Sequence, residues 1–247
     1  MNRLVLLVAA VVLMCSTPAF SADDTKHVNQ QINKVRAELS KMFPAATNAE
    51  IVSTSVSGVF RLAVQGSYAY AYIQGDFVLI GDLYNTKTRE NLGDVAQGEN
   101  LKKELVNHED KMIVFGPEDA KHTITVFTDV TCYYCKKLHE EVNELTSAGI
   151  QVRYLMWPRQ GLKSEGFNKN LAVWCNADQQ KAMTDAKAGR SVPAATCENP
   201  IAESFQFGRE AGISGTPLIL FDDGSRQPGY LPSAQLIARV KAKSNGG

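Results

Sequence analysis

"FTDVTCYYCKKLHEE", residues 127–141, sets two cysteines two residues apart directly after a run rich in β-branched and aromatic residues. The run that leads into it, "HTITVFTDV" (122–130), reads as a long central strand, and Leu138, Val142 and Leu145 behind it carry helical spacing. Cys132 therefore falls at or beside the first turn of a helix, with Thr131 as the expected cap. Free N–H groups and the helix macrodipole favour an anion there, so an exposed, ionised Cys132 is expected. Cys135, one turn further in, is expected to be shielded by the helix. One cysteine attacks and the other resolves.

Working outward, "MIVFG" (112–116) is a strand, Pro117 a turn, and "IQVRYLMW" (150–157) a further strand ended by Pro158. Residues 163–212 are mostly helical in pattern; "TPLILF" (216–221) is a strand, "GSRQPGY" (224–230) turns into a last short one, and "PSAQLIARVKAK" (232–243) is a closing helix. Strand, helix, strand, helical block, strand, strand, helix is the order of a thioredoxin-like α/β domain with a helical insertion, placed at 112–247. Upstream, Val28, Ile32, Val35, Leu39 and Met42 form one helical stripe stopped by Pro44. Residues 51–85, rich in Val, Ile and Tyr and broken by Gly58, Gly66, Gly75 and Gly81, read as three or four short antiparallel strands. Tyr68, Tyr70 and Tyr72 alternate and cover one sheet face. This α+β unit, 23–90, has a thin core, and its leftover apolar surface is expected to be buried against a second copy. Residues 91–111 fit a connecting helix, with Leu101, Leu105 and His108 or Met112 on one side.

The first 22 of the 247 residues have the layout of a secretory signal: Arg3, an apolar run Leu4–Met14, and small residues to Ala22. The run is too short to span a membrane, and the cut is expected after Ser21 or Ala22. Cys15 falls inside this segment, behind a Met14 too large for a lipobox. The exported chain then keeps four of the five cysteines, and 25 basic residues (26 less Arg3) against 26 acidic ones. That balance gives no reason to expect nucleic acid or membrane as partner, and no later run is long enough to insert. Four cysteines in an exported protein suggest two disulfides, with three connectivities open. Zinc would want a second close pair of ligands, whereas Cys175 and Cys197 are far apart in sequence and the four histidines are scattered. No metal is expected. A purely structural Cys132–Cys135 staple is the blander alternative to dithiol chemistry, which is the stronger reading.

A second motif supports it. "GISGTPLILF" (212–221) sets Thr216-Pro217 at the mouth of a strand, where proline obstructs pairing. A cis Pro217 would suit the place and free neighbouring backbone to hold an extended substrate strand beside the active cysteine.

"VFTDVTCYYCKKLHEE" (126–141), "RYLMWPRQGL" (153–162), "VWC" (173–175), "GISGTP" (212–217) and the upstream "GDLYNTKTRENL" (81–92) resemble the DsbC/DsbG family of periplasmic thioredoxin-like disulfide isomerases. The resemblance runs over nearly the whole exported chain. It implies a homodimer joined through cystatin-like N-terminal domains (a helix plus a curled antiparallel sheet), with the connecting helices as hinges around an uncharged cleft. Misfolded or mis-oxidised exported proteins would be its clients, with chaperone and reductase activity besides isomerisation. The membrane reductase DsbD would restore the dithiol in the periplasm, and no cofactor is needed. It implies Cys132 as nucleophile, Cys135 as resolving thiol, and Thr216-Pro217 as the cis-proline loop, with Tyr133 and Tyr134 meeting substrate. Cys175 and Cys197 would form a structural, buried and inert disulfide.

Two departures stand out. Tyr133-Tyr134 occupies the place where the family most often has Gly-Tyr, a dipeptide that tunes reduction potential. Many thioredoxins keep a buried carboxylate six residues before the nucleophile; here that place is Val126, which leaves the proton of Cys135 to a water or a backbone group. Asp129 is expected at the surface or as a cap, His139 to pack or face solvent, and Trp157 and Trp174 in the core. A monomeric DsbA-like oxidant is the rival within redox chemistry, and the N-terminal domain weighs against it. A binding module or holdase with incidental cysteines is the rival outside it.

Overall fold

The computed structural model describes residues 22–64 and 66–244; residues 1–21 of the expected signal segment, Cys15 among them, lie outside the described residues. The N-terminal unit opens with α1 (Ala22–Met42), followed by β1 (Glu50–Ser53), β2 (Val59–Val64), β3 (Ser67–Gln74) and β4 (Phe77–Gly81). The four strands form one antiparallel meander in the order β1-β2-β3-β4. Gly58, Gly66 and Gly75 make its three turns with φ of +76°, +78° and +59°, a left-handed region that a side chain would resist. On α1 the predicted stripe delivers Val35 and Leu39 to a small core with Ile51, Phe60, Leu62 and Ala71. Phe60 faces Ala71 across β2–β3, so the alternating Tyr68, Tyr70 and Tyr72 fall on the opposite face of the sheet. Beyond them β4 leaves Phe77 81% and Leu79 70% exposed.

α2 (Leu92–Leu105) is capped by the Asn91 side chain, which accepts from Gly93 N–H, and runs into a 3-10 segment, Val106–Lys111. The expected connecting helix is not a free rod. Leu101 is buried in a core shared with Met112, Phe127, Leu155, Trp157 and Phe207. Gly98 lets the helix approach the Gly224 backbone, where a Cβ would come within 1.9 Å of the Gly224 carbonyl oxygen.

The C-terminal unit contains β5 (Ile113–Phe115), β6 (His122–Thr128), α3 (Tyr133–Glu140), α4 (Val142–Ser147), β7 (Ile150–Met156), α5 (Glu165–Trp174), α6 (Gln179–Lys187), α7 (Ile201–Glu210), β8 (Leu218–Phe221), β9 (Arg226–Pro228) and α8 (Ser233–Ser244). Its sheet runs β5-β7-β6-β8-β9, with β6 parallel to β7 and antiparallel to β8, in the thioredoxin-like manner. The last five residues of β6, two threonines among them, are buried because both faces of the strand are covered. Ile124 and Val126 join Leu138, Tyr154, Met183 and Leu236 on one side; Phe127 joins Leu155, Leu218 and Trp157 on the other.

Two expectations change here. The single active helix through Leu145 is interrupted at Glu141, whose carboxylate accepts from the Tyr230 hydroxyl and the Ser233 N–H at the start of α8. The helical block is three helices, broken at 175–178 and again at 188–200, where Gly189, Pro193 and Pro200 do not support continuous helix.

Candidate active site

The site is built where β6 hands over to α3. Asp129, expected at the surface or as a cap, is fully buried, with its carboxylate taking the Thr131 N–H. Its Oδ1 accepts from Thr131 N–H and Oγ1 at 2.9 Å and from Asn170 Nδ2 at 3.1 Å. Its Oδ2 accepts from Arg159 N–H at 3.0 Å, with the Arg159 guanidinium 3.7 Å away. Burial pushes this carboxyl up, but the hydrogen bonds from Thr131, Arg159 and Asn170 outweigh it and hold Asp129 below the ordinary carboxylate value. Thr131 thus serves Asp129 and caps nothing. Cys132 itself is the N-cap residue of α3, extended at φ −76°, ψ 123°, with no side-chain cap bond.

The two thiols are free and stand in opposite environments. Cys132 is held down at about 5: the Cys135 thiol hydrogen-bonds to it, outweighing burial, with help from Thr216 and the Arg159 charge. Cys135 is pushed up, first by burial and then by giving its proton to Cys132. The expectation of an exposed nucleophile does not hold, since Cys132 as a residue is 2% exposed. It is seated under the 216–217 loop, its Sγ 3.3 Å from the Thr216 carbonyl oxygen. The Thr216–Pro217 bond is cis, and Pro217 O accepts from Gly229 N–H at 2.8 Å, tying the loop to the end of β9. Thr216 Oγ1 is buried, and the Thr216 side chain helps hold the Cys132 thiolate. Tyr133 and Tyr134 stand 62% and 54% exposed beside the pair, Tyr134 stacked on Tyr230.

One site residue is absent from the sequence reading. Lys187, the last residue of α6, is 2% exposed, with Nζ 2.6 Å from Thr128 Oγ1 and 3.0 Å from Asp129 O. Burial lowers its ammonium to about 8. The available signal is its i+4 spacing from Met183, the fully buried residue of the same helix. His139 packs in the core behind α3, between Tyr154 OH at 3.1 Å and Thr184 Oγ1 at 3.0 Å, and burial lowers it to about 3.

Cys175 and Cys197 form a disulfide with a separation of 22 residues. It is not buried as expected: Cys175 is partly buried and Cys197 exposed, because the bond pins the surface segment 188–200 to the end of α5. Among the described residues no cluster of His, Cys, Asp and Glu could hold a metal. No described helix is long and apolar enough to cross a membrane.

A depressed thiol at a helix start, a raised partner one turn behind it and a cis-proline loop across from both define a thiol:disulfide oxidoreductase. Residues 19–94 match the family model described as the disulfide bond isomerase protein N-terminal domain, and residues 108–244 match the thioredoxin-like domain. The Dickeya dadantii thiol:disulfide interchange protein DsbC is 35% identical over 98% of this chain and 96% of its own length. The Escherichia coli DsbC is 34% identical over 91% of this chain and 90% of its own. A solved disulfide interchange protein from Neisseria gonorrhoeae is 33% identical, covering 54% of this chain and 95% of that one, at a TM-score of 0.49. The chain belongs to the DsbC family of thiol:disulfide interchange proteins.

Proposed function

We propose that the protein acts in the periplasm as a homodimeric isomerase of wrong disulfides in exported proteins, with Cys132 as nucleophile and Cys135 as resolving thiol. The observation that carries this is the asymmetry of the pair, one thiol held at about 5 and the other raised. At neutral pH Cys132 is a thiolate and attacks a substrate disulfide; one substrate sulfur leaves as thiolate and takes a proton from water. A second substrate thiol then displaces Cys132 and leaves a rearranged bond. If none arrives, Cys135 closes on Cys132, the substrate departs reduced, and a membrane reductase of the DsbD kind restores the dithiol. The cis-proline loop, with the buried hydroxyl of Thr216, and the exposed Tyr133 and Tyr134 are suited to hold an extended chain over the sulfur. The exposed apolar strip on β4 supports pairing through the N-terminal units.

Refolding of scrambled ribonuclease tests the assignment. Cys132→Ser is expected to abolish isomerisation, and Cys135→Ser to accumulate mixed disulfides. Cys175→Ser with Cys197→Ser is expected to keep activity in folded protein. Undiminished activity in Cys132→Ser would overturn the assignment, and a resting disulfide rather than a dithiol in vivo would favour the oxidant.

A further inference from the structure

The resolving step needs a proton to leave a thiol that its surroundings hold protonated, and position 126, where a carboxylate would serve, is a fully buried valine. Lys187 is the group in reach. Its Nζ contacts Thr128 Oγ1 and Asp129 O, and the same Thr128 side chain and Asp129 backbone are the groups that favour the thiolate of Cys135. Thr128 Oγ1 thus stands between the resolving sulfur and the amine. We propose that Lys187 is the proton acceptor for Cys135, acting through the Thr128 hydroxyl. This rests on the roles of Cys132 and Cys135 given above.

With substrate bound through Cys132, Cys135 S–H gives its proton to Thr128 Oγ1 while the Thr128 O–H proton passes to the neutral Lys187 amine, which becomes ammonium. The Cys135 thiolate attacks Cys132 Sγ. The Cys132–Cys135 bond forms, the Cys132–substrate bond breaks, and the substrate sulfur leaves with the electron pair and is protonated by water. When the disulfide is later reduced, the ammonium returns the proton to Cys135.

The charges around Lys187 make this acceptor dependent on the state of the site. Cys135, Asp129 and Cys132 favour its ammonium; burial and Lys136 oppose it. His139 on α3 is held neutral by its own burial and by Lys187, and the Tyr154 ring of β7 lies 6.0 Å from Nζ. Formation of the mixed disulfide removes the Cys132 negative charge. Lys187 then releases its proton more readily, and Cys135 loses the thiolate that held its own proton. Both changes occur only after substrate has been captured.

The reaction of the reduced full chain with Ellman's disulfide separates the two steps, because attack by Cys132 releases the first coloured thiolate and closure by Cys135 the second. In the wild type the second phase should rise with pH to a midpoint at or below about 8. In Lys187→Met it should slow about a hundredfold at neutral pH, the low end of what a lost general base costs. Its midpoint should move beyond the ordinary thiol value of 9.0. The first phase should stay fast at neutral pH, where Cys132 remains ionised. Thr128→Val should reproduce the slow second phase with Lys187 present, and it decides the matter alone if Lys187→Met does not fold. A wild-type second phase in folded Lys187→Met, or in Thr128→Val where only that variant folds, overturns the proposal. A wild type that shows no more second phase than Cys135→Ser removes the resolving role itself, and the proposal with it.

Discussion

Asp129 turns the end of a strand into the platform on which Cys132 sits. Its carboxylate gathers Thr131, Arg159 and Asn170, and its main-chain oxygen takes the Lys187 ammonium. Asp129→Ala would strand these donors in a buried place, and a loss of about 3 kcal/mol is expected, read from urea unfolding of the reduced chain. At Cys132 the sign of the pH dependence follows from the direction of its shift. The folded value, about 5, lies below the ordinary 9.0, so the thiolate's contribution to stability is complete above pH 9.0 and fades to nothing as pH falls through 5. The stability advantage of the reduced wild type over Cys132→Ser should therefore shrink steadily over that window. An advantage independent of pH would contradict the depressed thiol. Alkylation of Cys132 should likewise stay fast well below neutrality, with its midpoint near 5.

Among the elements, what periodicity governs was legible. The strand–cysteine–helix handover, the stripe of α1 and the meander were readable because each is a pattern of spacing in a contiguous stretch. The interruption at Glu141 was not, since it depends on Tyr230 and Ser233 arriving from the other end of the unit. Lys187 and Asp129 were hidden for the same reason. A lysine among the charges of "QQKAMTDAK" and an aspartate in "TDVT" both look solvated until α6 is laid against the end of β6. α2 looked like a spacer because its contact surface is made by a glycine. Gly98→Ala would drive a methyl into the Gly224 carbonyl and lift α2 from the β8–β9 turn. Faster cleavage by protease within residues 92–111 is the expected result, with the two Ellman phases intact. Unchanged cleavage would mean that the close approach at Gly98 is not what holds the helix in place.

For the whole molecule, the N-terminal unit has too little interior to explain its surface. Phe77 and Leu79 lie open on β4, with Ile80 and Tyr72 partly so. Phe77→Asp with Leu79→Asp should convert a dimer to a monomer, read as a halved mass in sedimentation. The monomer should still reduce small disulfides and lose isomerisation of scrambled protein. A mass that stays doubled would send the search for the interface elsewhere.

Within one protomer the two units are held to each other through the side chain of Gln97. Its Nε2 gives one hydrogen to the Gly66 carbonyl at the tip of the β2–β3 turn and the other to the Ala211 carbonyl at the end of α7. A carboxylate at this position would have the same length and outline but nothing to donate, and it would face two carbonyl oxygens with a negative charge. One atom, nitrogen in place of oxygen, therefore bears on whether the sheet proposed to gather a second copy and the sheet that bears the sulfurs travel as a single body.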